Sequence, residues 1–188
     1  KSGQDVLLID ADGQESASDF SDIRSEECGE LGYVLTRLTD NAVKVNGEPL
    51  SKKFDTTIID VPGKDSRSQR AALLFCDVLL LPIKPDGLNI WTLSKLKQII
   101  IDAQMASHEF KIIAFLNMAE SSGNENQEAW DFIAEEFENV AGFQLEKIEI
   151  KNRKSFRKAA SVGLSVDELK PRDSKACSEI QGLYSCIF

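Results

Sequence analysis

The sequence is poor in the residues on which several kinds of protein site depend. It contains a single histidine, His108, so catalytic schemes built on histidine are set aside. Its four cysteines are scattered and form no CxxC pair, which excludes a zinc site or a disulfide framework and fits a reducing cytoplasm. No apolar run approaches the roughly 20 residues of a membrane-spanning helix. We therefore expect a cytoplasmic protein without a membrane partner.

Excess positive charge is also missing. The chain has 31 acidic and 22 basic residues, a formal net charge of −9, which argues against a globally basic coat for nucleic acid. A local basic patch remains compatible with this total, because binding depends on where the charge lies. The length of 188 residues suits one domain.

The sequence does contain several short, continuous apolar runs. Runs of this length are typical of strands that are buried on both faces of a parallel sheet. Segments with helical spacing of apolar residues separate them, for example around Leu93–Ala103 and Trp130–Phe137. The alternation predicts an α/β fold, a mostly parallel twisted sheet with helices on both faces. The predicted strands are Val6–Ile9, Tyr33–Leu38, Thr57–Ile59, Val78–Ile83, Ile112–Leu116 and Ile148–Ile150.

Carboxylates follow two of these strands. Asp10 and Asp12 come at the end of the first run, and Asp60 ends the third, with Gly63 shortly after it. An ionised carboxylate at the end of a buried strand is costly unless a metal ion, a donor or water offsets its desolvation. An apolar strand that ends in Asp, followed by Gly, is the arrangement of a Walker B magnesium site. A helix cap or a turn is the alternative for each Asp alone, most of all for Asp12 and Gly13.

Taken together, these segments resemble the ParA/Soj-type partition ATPases of the deviant Walker A (MinD/ParA) superfamily. The resemblance extends, with gaps, over nearly the whole chain. The segments that carry it are Val6–Asp19, Thr57–Arg67, Leu80–Asn89 and Phe156–Val166.

The resemblance implies roles for individual residues. Asp12 matches the catalytic carboxylate that positions the attacking water, Asp60 the Walker B residue that holds Mg²⁺ through water, and Asp10 a second carboxylate near the metal. Asn117 matches a contact to the adenine of ATP, and Pro85 a residue of the base pocket. For these last two, a capping Asn and a rigid turn are the structural alternatives. Gly63 would let the backbone approach the γ-phosphate.

The same resemblance implies how the intact protein works. It would bind Mg²⁺ and ATP, dimerise with ATP between the subunits, bind DNA without sequence preference, and be stimulated by a centromere-binding ParB-like partner. Such a protein is nucleoid-associated in a bacterial cytoplasm, and it segregates plasmid or chromosomal DNA.

One part of the family pattern is missing. No GxxxxGK(S/T) phosphate loop occurs in the 188 residues. We read Lys1–Gln4 as the tail of a helix and expect the chain to be a single ParA-like domain, residues 1–188, truncated at its N-terminus. The chain alone is expected to bind ATP poorly, because the phosphates lack their cradle of backbone N–H groups.

The segment from Lys147 to Lys158 is sharply basic within an acidic protein. If it is helical from Arg153, one face holds apolar and small residues: Phe156, Ala159, Ala160 and Gly163. The other face presents the predicted DNA-binding residues: Arg153, Lys154, Arg157 and Lys158. Cations in the first turn of a helix oppose the macrodipole, which suggests an anionic partner. A solvated basic face without a partner is the alternative.

Two other functions remain open. The protein could be a catalytically inactive ParA-like binding or adaptor module, although three retained strand-end carboxylates argue against this. It could also be a different enzyme on the same fold, for which the sequence offers no further catalytic motif.

Overall fold

Strands and helices alternate along the chain, as the apolar runs predict. The computed structural model of the protein describes residues 3–85 and 90–188. The chain divides into two compact units, the first formed by residues 1–75 and 160–164 and the second by residues 76–159 and 165–188. The prediction of a single nucleotide-binding domain over residues 1–188 stays a prediction.

The first unit is built around a parallel three-stranded sheet. Its strand order is β2-β1-β3, so that β1 is central, and Leu7 of β1 pairs with Val34 and Thr57 on either side. The elements, in chain order, are β1 (Val6–Asp10), α1 (Ser16–Cys28), β2 (Val34–Arg37), a π-helical turn (Val43–Gly47), α2 (Glu48–Ser51), β3 (Thr56–Asp60) and α3 (Arg67–Leu73).

Local sequence explains where two of these helices begin or end. Gly29 adopts the left-handed conformation with φ 75° after α1, and its N–H donates to the carbonyl of Ser25, so glycine closes this helix. Ser66 caps α3, because its side chain accepts a hydrogen bond from the N–H of Gln69.

The second unit contains another parallel three-stranded sheet, with strand order β4-β5-β6. Helices flank it, and α7 carries Asp173 as its N-cap. The elements are β4 (Val78–Ile83), α4 (Ile90–Ala106), β5 (Lys111–Ala119), α5 (Glu125–Phe137), β6 (Phe143–Lys151), α6 (Lys154–Ala160) and α7 (Ser174–Ile187).

Apolar side chains from β5, α4 and α5 bury the centre of the second unit. Ile112, Ile113 and Leu116 of β5 are completely buried, as is Phe137 of α5, whose ring stacks on Phe143 at a centroid distance of 5.2 Å. A second cluster lies where α6 and α7 meet, and its members are Ala159, Val166, Leu169, Ala176 and Cys177.

The predicted α/β class and parallel pairing are confirmed, with the strands divided between two sheets. All six predicted strands are present. The largest differences in length are in β5 and β6, which extend to Ala119 and from Phe143, because polar residues continue the pairing beyond the apolar runs. Among the helices of the described ranges, none has the length and apolar character needed to cross a membrane.

Candidate functional site

Three carboxylates lie at the carboxyl edge of the first sheet. Asp10 is the last residue of β1 and Asp60 the last of β3, and the two are direct register partners. The pairing continues one step further, since the N–H of Ala11 donates to the carbonyl of Asp60 at 2.8 Å. Asp12 follows two residues after Asp10. The sequence-predicted acids of this edge are therefore brought together by strand pairing.

Asp10 is buried, with 2% of its surface exposed, and hydrogen bonds compensate its burial. One carboxylate oxygen, Oδ2, accepts from both the N–H (2.9 Å) and the hydroxyl (2.5 Å) of Ser18. The other, Oδ1, accepts from the N–H of Asp12 at 3.3 Å. Donors from the chain thus offset the desolvation of Asp10 without a cation, so Asp10 is the least suited of the three acids to bind a metal directly.

Asp12 lies in a turn between β1 and α1. Its Oδ1 accepts a hydrogen bond from the N–H of Gln14 at 2.9 Å, and its carbonyl accepts from the N–H of Glu15 at 3.0 Å. This is an Asx turn, as the structural alternative for Asp12 and Gly13 predicts. The side chain is half-buried, so it retains access to solvent while its direction is set by the turn.

Asp60 has a different environment. Burial, and after it the negative charges of Asp10 and Asp12, raise the pKa of its carboxyl group. A cation at this edge would offset both effects, so Asp60 is suited to hold a hydrated Mg²⁺ through water. Within residues 3–85 and 90–188, no group of three or more His, Cys, Asp or Glu side chains converges as a direct metal cage. Such a cage is not needed for an ion that keeps most of its water ligands.

Gly63 follows β3 on an exposed segment. An added Cβ at this position meets no other atom of the chain within 4 Å, and its φ is not in the left-handed region. Neither packing nor backbone strain within the described chain therefore requires glycine here. A ligand that approaches the backbone closely at this position would explain the glycine.

The predicted adenine contacts belong to the second unit. Asn117 lies inside β5 rather than after it, beside a shift in the β5–β6 register, and its Oδ1 accepts a hydrogen bond from the N–H of Met118. Met118 has φ 57°, unusual for a residue other than glycine. Pro85 is buried just beyond the end of β4. The rest of that predicted loop, residues 86–89, lies outside the described residues.

The basic segment forms helix α6, but the helix begins at Lys154. Arg153 precedes it and pairs with Glu179 of α7 through Nε (2.9 Å) and Nη2 (2.5 Å). This hydrogen bond is the main reason that the pKa of Arg153 is raised. Lys154, Arg157 and Lys158 are exposed. Only Lys154 therefore retains the expected place in the first helical turn.

The predicted apolar face of α6 is partly wrong. Ala159 is buried and Phe156 packs on the same cluster, but Ala160, the last residue of the helix, is exposed. Gly163 lies beyond the helix end at φ 64°, against the backbone of Arg24. The helix ends three residues earlier than the periodicity suggests.

Three residues were missed, of which Ser18 and Glu179 contact a predicted residue directly and Arg37 contacts Ser18. Ser18 binds Asp10, Arg37 of β2 binds Ser18, and Glu179 binds Arg153. Each is distant in sequence from its partner. Arg37 is the register partner of Asp10, which correct pairing of β1 with β2 would have revealed.

The chain is similar in sequence to a known protein, although it matches no family profile. The maintenance of carboxysome distribution protein A of Halothiobacillus neapolitanus is 25% identical over 177 residues, covering 93% of this chain and 79% of that protein.

Solved structures resemble the whole chain. The McdA protein of Cyanothece without ligand superimposes with a TM-score of 0.73 at 19% identity, covering 99% of this chain and 88% of the other, and a variant of it in complex with ATP has a TM-score of 0.70. The cell division ATPase MinD of Pyrococcus furiosus has a TM-score of 0.63 at 16% identity, covering 98% and 87%.

The fold is thus that of the P-loop ATPase class, with parallel sheets flanked by helices. The McdA and MinD proteins among these relatives and structures support the resemblance to the ParA/MinD superfamily that the sequence shows.

Proposed function

We propose that the intact protein is a Mg²⁺-dependent ATPase that segregates plasmid or chromosomal DNA by dimerising on ATP and binding DNA without sequence preference. The observation that carries the proposal is the pairing of Asp10 with Asp60 at the end of β1 and β3, with Asp12 beside them. The ATP complex of a structural neighbour supports ATP as the nucleotide.

The three carboxylates have different parts in this proposal. Asp60 holds the hydration shell of Mg²⁺, since its carboxylate is half-buried beside two like charges. Asp12 orients the attacking water from its turn, and Asp10 fixes that turn. Bound Mg²⁺ supplies positive charge that neutralises the phosphate oxygens. Gly63, Asn117 and Pro85 are proposed as nucleotide contacts.

The absence of GxxxxGK(S/T) from the 188 residues decides how the activity is to be tested. We expect this chain alone to hydrolyse ATP poorly and the intact protein to hydrolyse it, because β- and γ-phosphates need a nest of backbone N–H groups. Turnover by both is measured at saturating Mg²⁺ and ATP. Equal turnover by the two would contradict this expectation, and no turnover by the intact protein would favour an inactive adaptor module.

DNA binding is proposed for the exposed cations of α6 together with Arg153. Lys154 is exposed at the start of α6, Arg157 and Lys158 are exposed in its last turn, and Arg153 is oriented by Glu179. Contacts to phosphate carry no sequence information, so the protein should bind different duplexes about equally. A centromere-binding ParB-like protein is the proposed stimulating partner.

The test of the DNA surface is a salt titration of the ATP-bound intact protein on two unrelated duplexes. Replacing all four cations by Ala should weaken binding to both duplexes and flatten the log–log salt dependence by about 0.9 for each phosphate that the variant no longer neutralises. Lys175→Ala, an exposed lysine in the first turn of α7, is the control. An unchanged slope in the quadruple variant would locate DNA binding elsewhere.

A second cargo is favoured by the relative from Halothiobacillus neapolitanus, whose name describes the maintenance of carboxysome distribution. In this variant of the proposal the ATPase distributes carboxysomes, the cargo in that name, rather than DNA. Deletion of the gene distinguishes the two, because it causes loss of a replicon in the first case and clustering of a compartment in the second.

A further inference from the structure

A buried serine connects Arg37 to the carboxylate edge. Nε of Arg37 donates to the hydroxyl oxygen of Ser18 at 2.8 Å, and this hydroxyl also contacts Oδ2 of Asp10. Arginine can only donate hydrogen bonds, so the single hydrogen of the Ser18 hydroxyl is available for Asp10. The direction of both bonds is therefore determined, from Arg37 to Ser18 to Asp10.

The same arginine reaches the other end of the turn. Its Nη1 lies 2.9 Å from Oε2 of Glu15, the residue before α1. Glu15 has φ 57°, a backbone conformation that residues other than glycine seldom adopt. It occupies the N-cap position of α1, but its side chain forms no capping hydrogen bond. The N–H of Ser18, which an N-cap would ordinarily satisfy, is bonded to Asp10 instead.

Asp12 lies between these two anchors. Its N–H donates to Asp10 at one end of the turn, and its carbonyl accepts from the N–H of Glu15 at the other. The backbone on both sides of the Asp12 side chain is thus tied to residues that Arg37 holds. The Arg37–Glu15 pair is half-exposed, and pairs of that kind contribute little to stability, so its effect is mainly on geometry.

We infer that Ser18 and Arg37 are positioning residues, which hold the Asp12 carboxylate in place through Asp10 and Glu15. The consequence for turnover rests on the proposed ATPase function, whereas the structural part does not. Because a group that orients the attacking water acts in the transition state, displacement of Asp12 should lower kcat more than it raises KM.

Ser18→Ala is the direct variant, and Ser21→Ala is its matched control. Both serines are buried in α1, and both hydroxyls are hydrogen-bonded, but Ser21 contacts the carbonyl of Ala17 and the hydroxyl of Tyr33 rather than Asp10. Arg37→Gln is a second variant at the protein surface. Its control is Arg24→Gln, since Arg24 donates to the carbonyls of Leu31 and Gly163.

The first measurement is residue-resolved amide hydrogen exchange of the 188-residue chain without nucleotide. In Ser18→Ala and Arg37→Gln we expect the N–H groups of Asp12, Gln14 and Glu15 to exchange about tenfold faster than in the unmodified chain, because their acceptors are no longer held. The Ser21→Ala and Arg24→Gln variants should leave these three amides unchanged. Equal exchange in the variants and their controls would overturn the inference.

The second measurement is steady-state ATP hydrolysis by the intact protein carrying the same changes. Ser18→Ala and Arg37→Gln should lower kcat about tenfold with KM within about twofold, while both controls keep kcat within about twofold. A change in KM alone would contradict positioning of Asp12. If the unmodified intact protein shows no turnover, the proposed function is wrong, and the exchange measurement still decides the inference.

Discussion

The two sheets have the same number of strands and the same parallel pairing, but their central strands end differently. In the second sheet, the central strand β5 is apolar and buried from Ile112 to Leu116. In the first sheet, the central strand β1 is buried at Leu7 and Ile9 and ends in the buried acid Asp10, while the edge strand β3 leaves Ile58 54% exposed. Both central strands thus contribute to stability through buried apolar residues. The first sheet also carries acids at its carboxyl edge, of which Asp60 costs stability because it is half-buried beside two like charges.

The largest effect should come from shortening the buried side chain of β5. Ile113→Ala should lower the free energy of unfolding by about 2–5 kcal/mol, because it removes buried methyl groups and leaves a cavity. The same change on the edge strand β3, Ile58→Ala, should cost no more than about 0.5 kcal/mol at its exposed position. Denaturant unfolding followed by circular dichroism measures both. Equal losses would contradict the difference in burial between the central strand β5 and the edge strand β3.

The next effect separates the two paired acids of the first sheet. Asp10→Ala should cost about 1–3 kcal/mol, because it leaves the buried N–H and hydroxyl of Ser18 without their acceptor. Asp60→Asn should leave the stability unchanged or raise it slightly, since it removes a half-buried charge beside two like charges. Unfolding at neutral pH without divalent cations is the measurement. If Asp60→Asn lowered the free energy of unfolding more than Asp10→Ala, Asp60 rather than Asp10 would be the acid that stabilises the fold, contrary to our account.

The smallest effect concerns how helices of the two units begin. Asp173, the residue before α7, caps that helix. In α1, the N–H of Ser18 in the first turn is instead bonded to Asp10, which lies at the end of β1. The hydrogen bond from Ser155, and then that from the N–H of Ala176, lower the pKa of Asp173. A folded-state pKa below the unfolded value gives a stabilisation that is complete above the unfolded pKa and is lost as the pH falls through the folded one.

Asp173→Ala should therefore lower the thermal midpoint at neutral pH, and its difference from the unmodified chain should shrink on acidification below about pH 4. Asp173→Asn, which keeps a capping side chain, should lose less. Thermal melts at several pH values test this. A difference that stays constant with pH would show that the charge of Asp173 has no part in the cap.

Local sequence patterns predict the limits of a strand well where charged residues flank the apolar run on both sides. Strand β4 has the predicted limits, Val78 and Ile83, since Asp77 and Lys84 enclose it. Strand β5 was predicted too short, because Asn117 continues the ladder through a register shift that the apolar pattern does not record. The sequence predicts α6 to continue to Gly163, three residues too far, because helical spacing alone does not show that the chain leaves the helix after Ala160.

The position of the acids at one sheet edge was predictable, and their hydrogen-bond partners were not. Asp10, Asp12 and Asp60 follow from the rule that functional groups lie at the carboxyl ends of parallel strands. The bond from Ser18 to Asp10 depends on how α1 returns to β1, and the pair of Arg153 with Glu179 joins residues 26 positions apart. Such contacts are determined by tertiary packing, so sequence spacing alone does not indicate them.

The most direct test of the account is a comparison of ATP hydrolysis and ATP binding in the intact protein with Asp12→Ala. If Asp12 orients the attacking water, kcat should fall about 100-fold or more while the Kd for ATP in the presence of Mg²⁺ stays within about threefold. Asp60→Ala, made in parallel, should weaken Mg²⁺-dependent ATP binding itself. An Asp12→Ala protein that hydrolyses ATP at the unmodified rate would contradict the assignment of this carboxylate edge as the catalytic site.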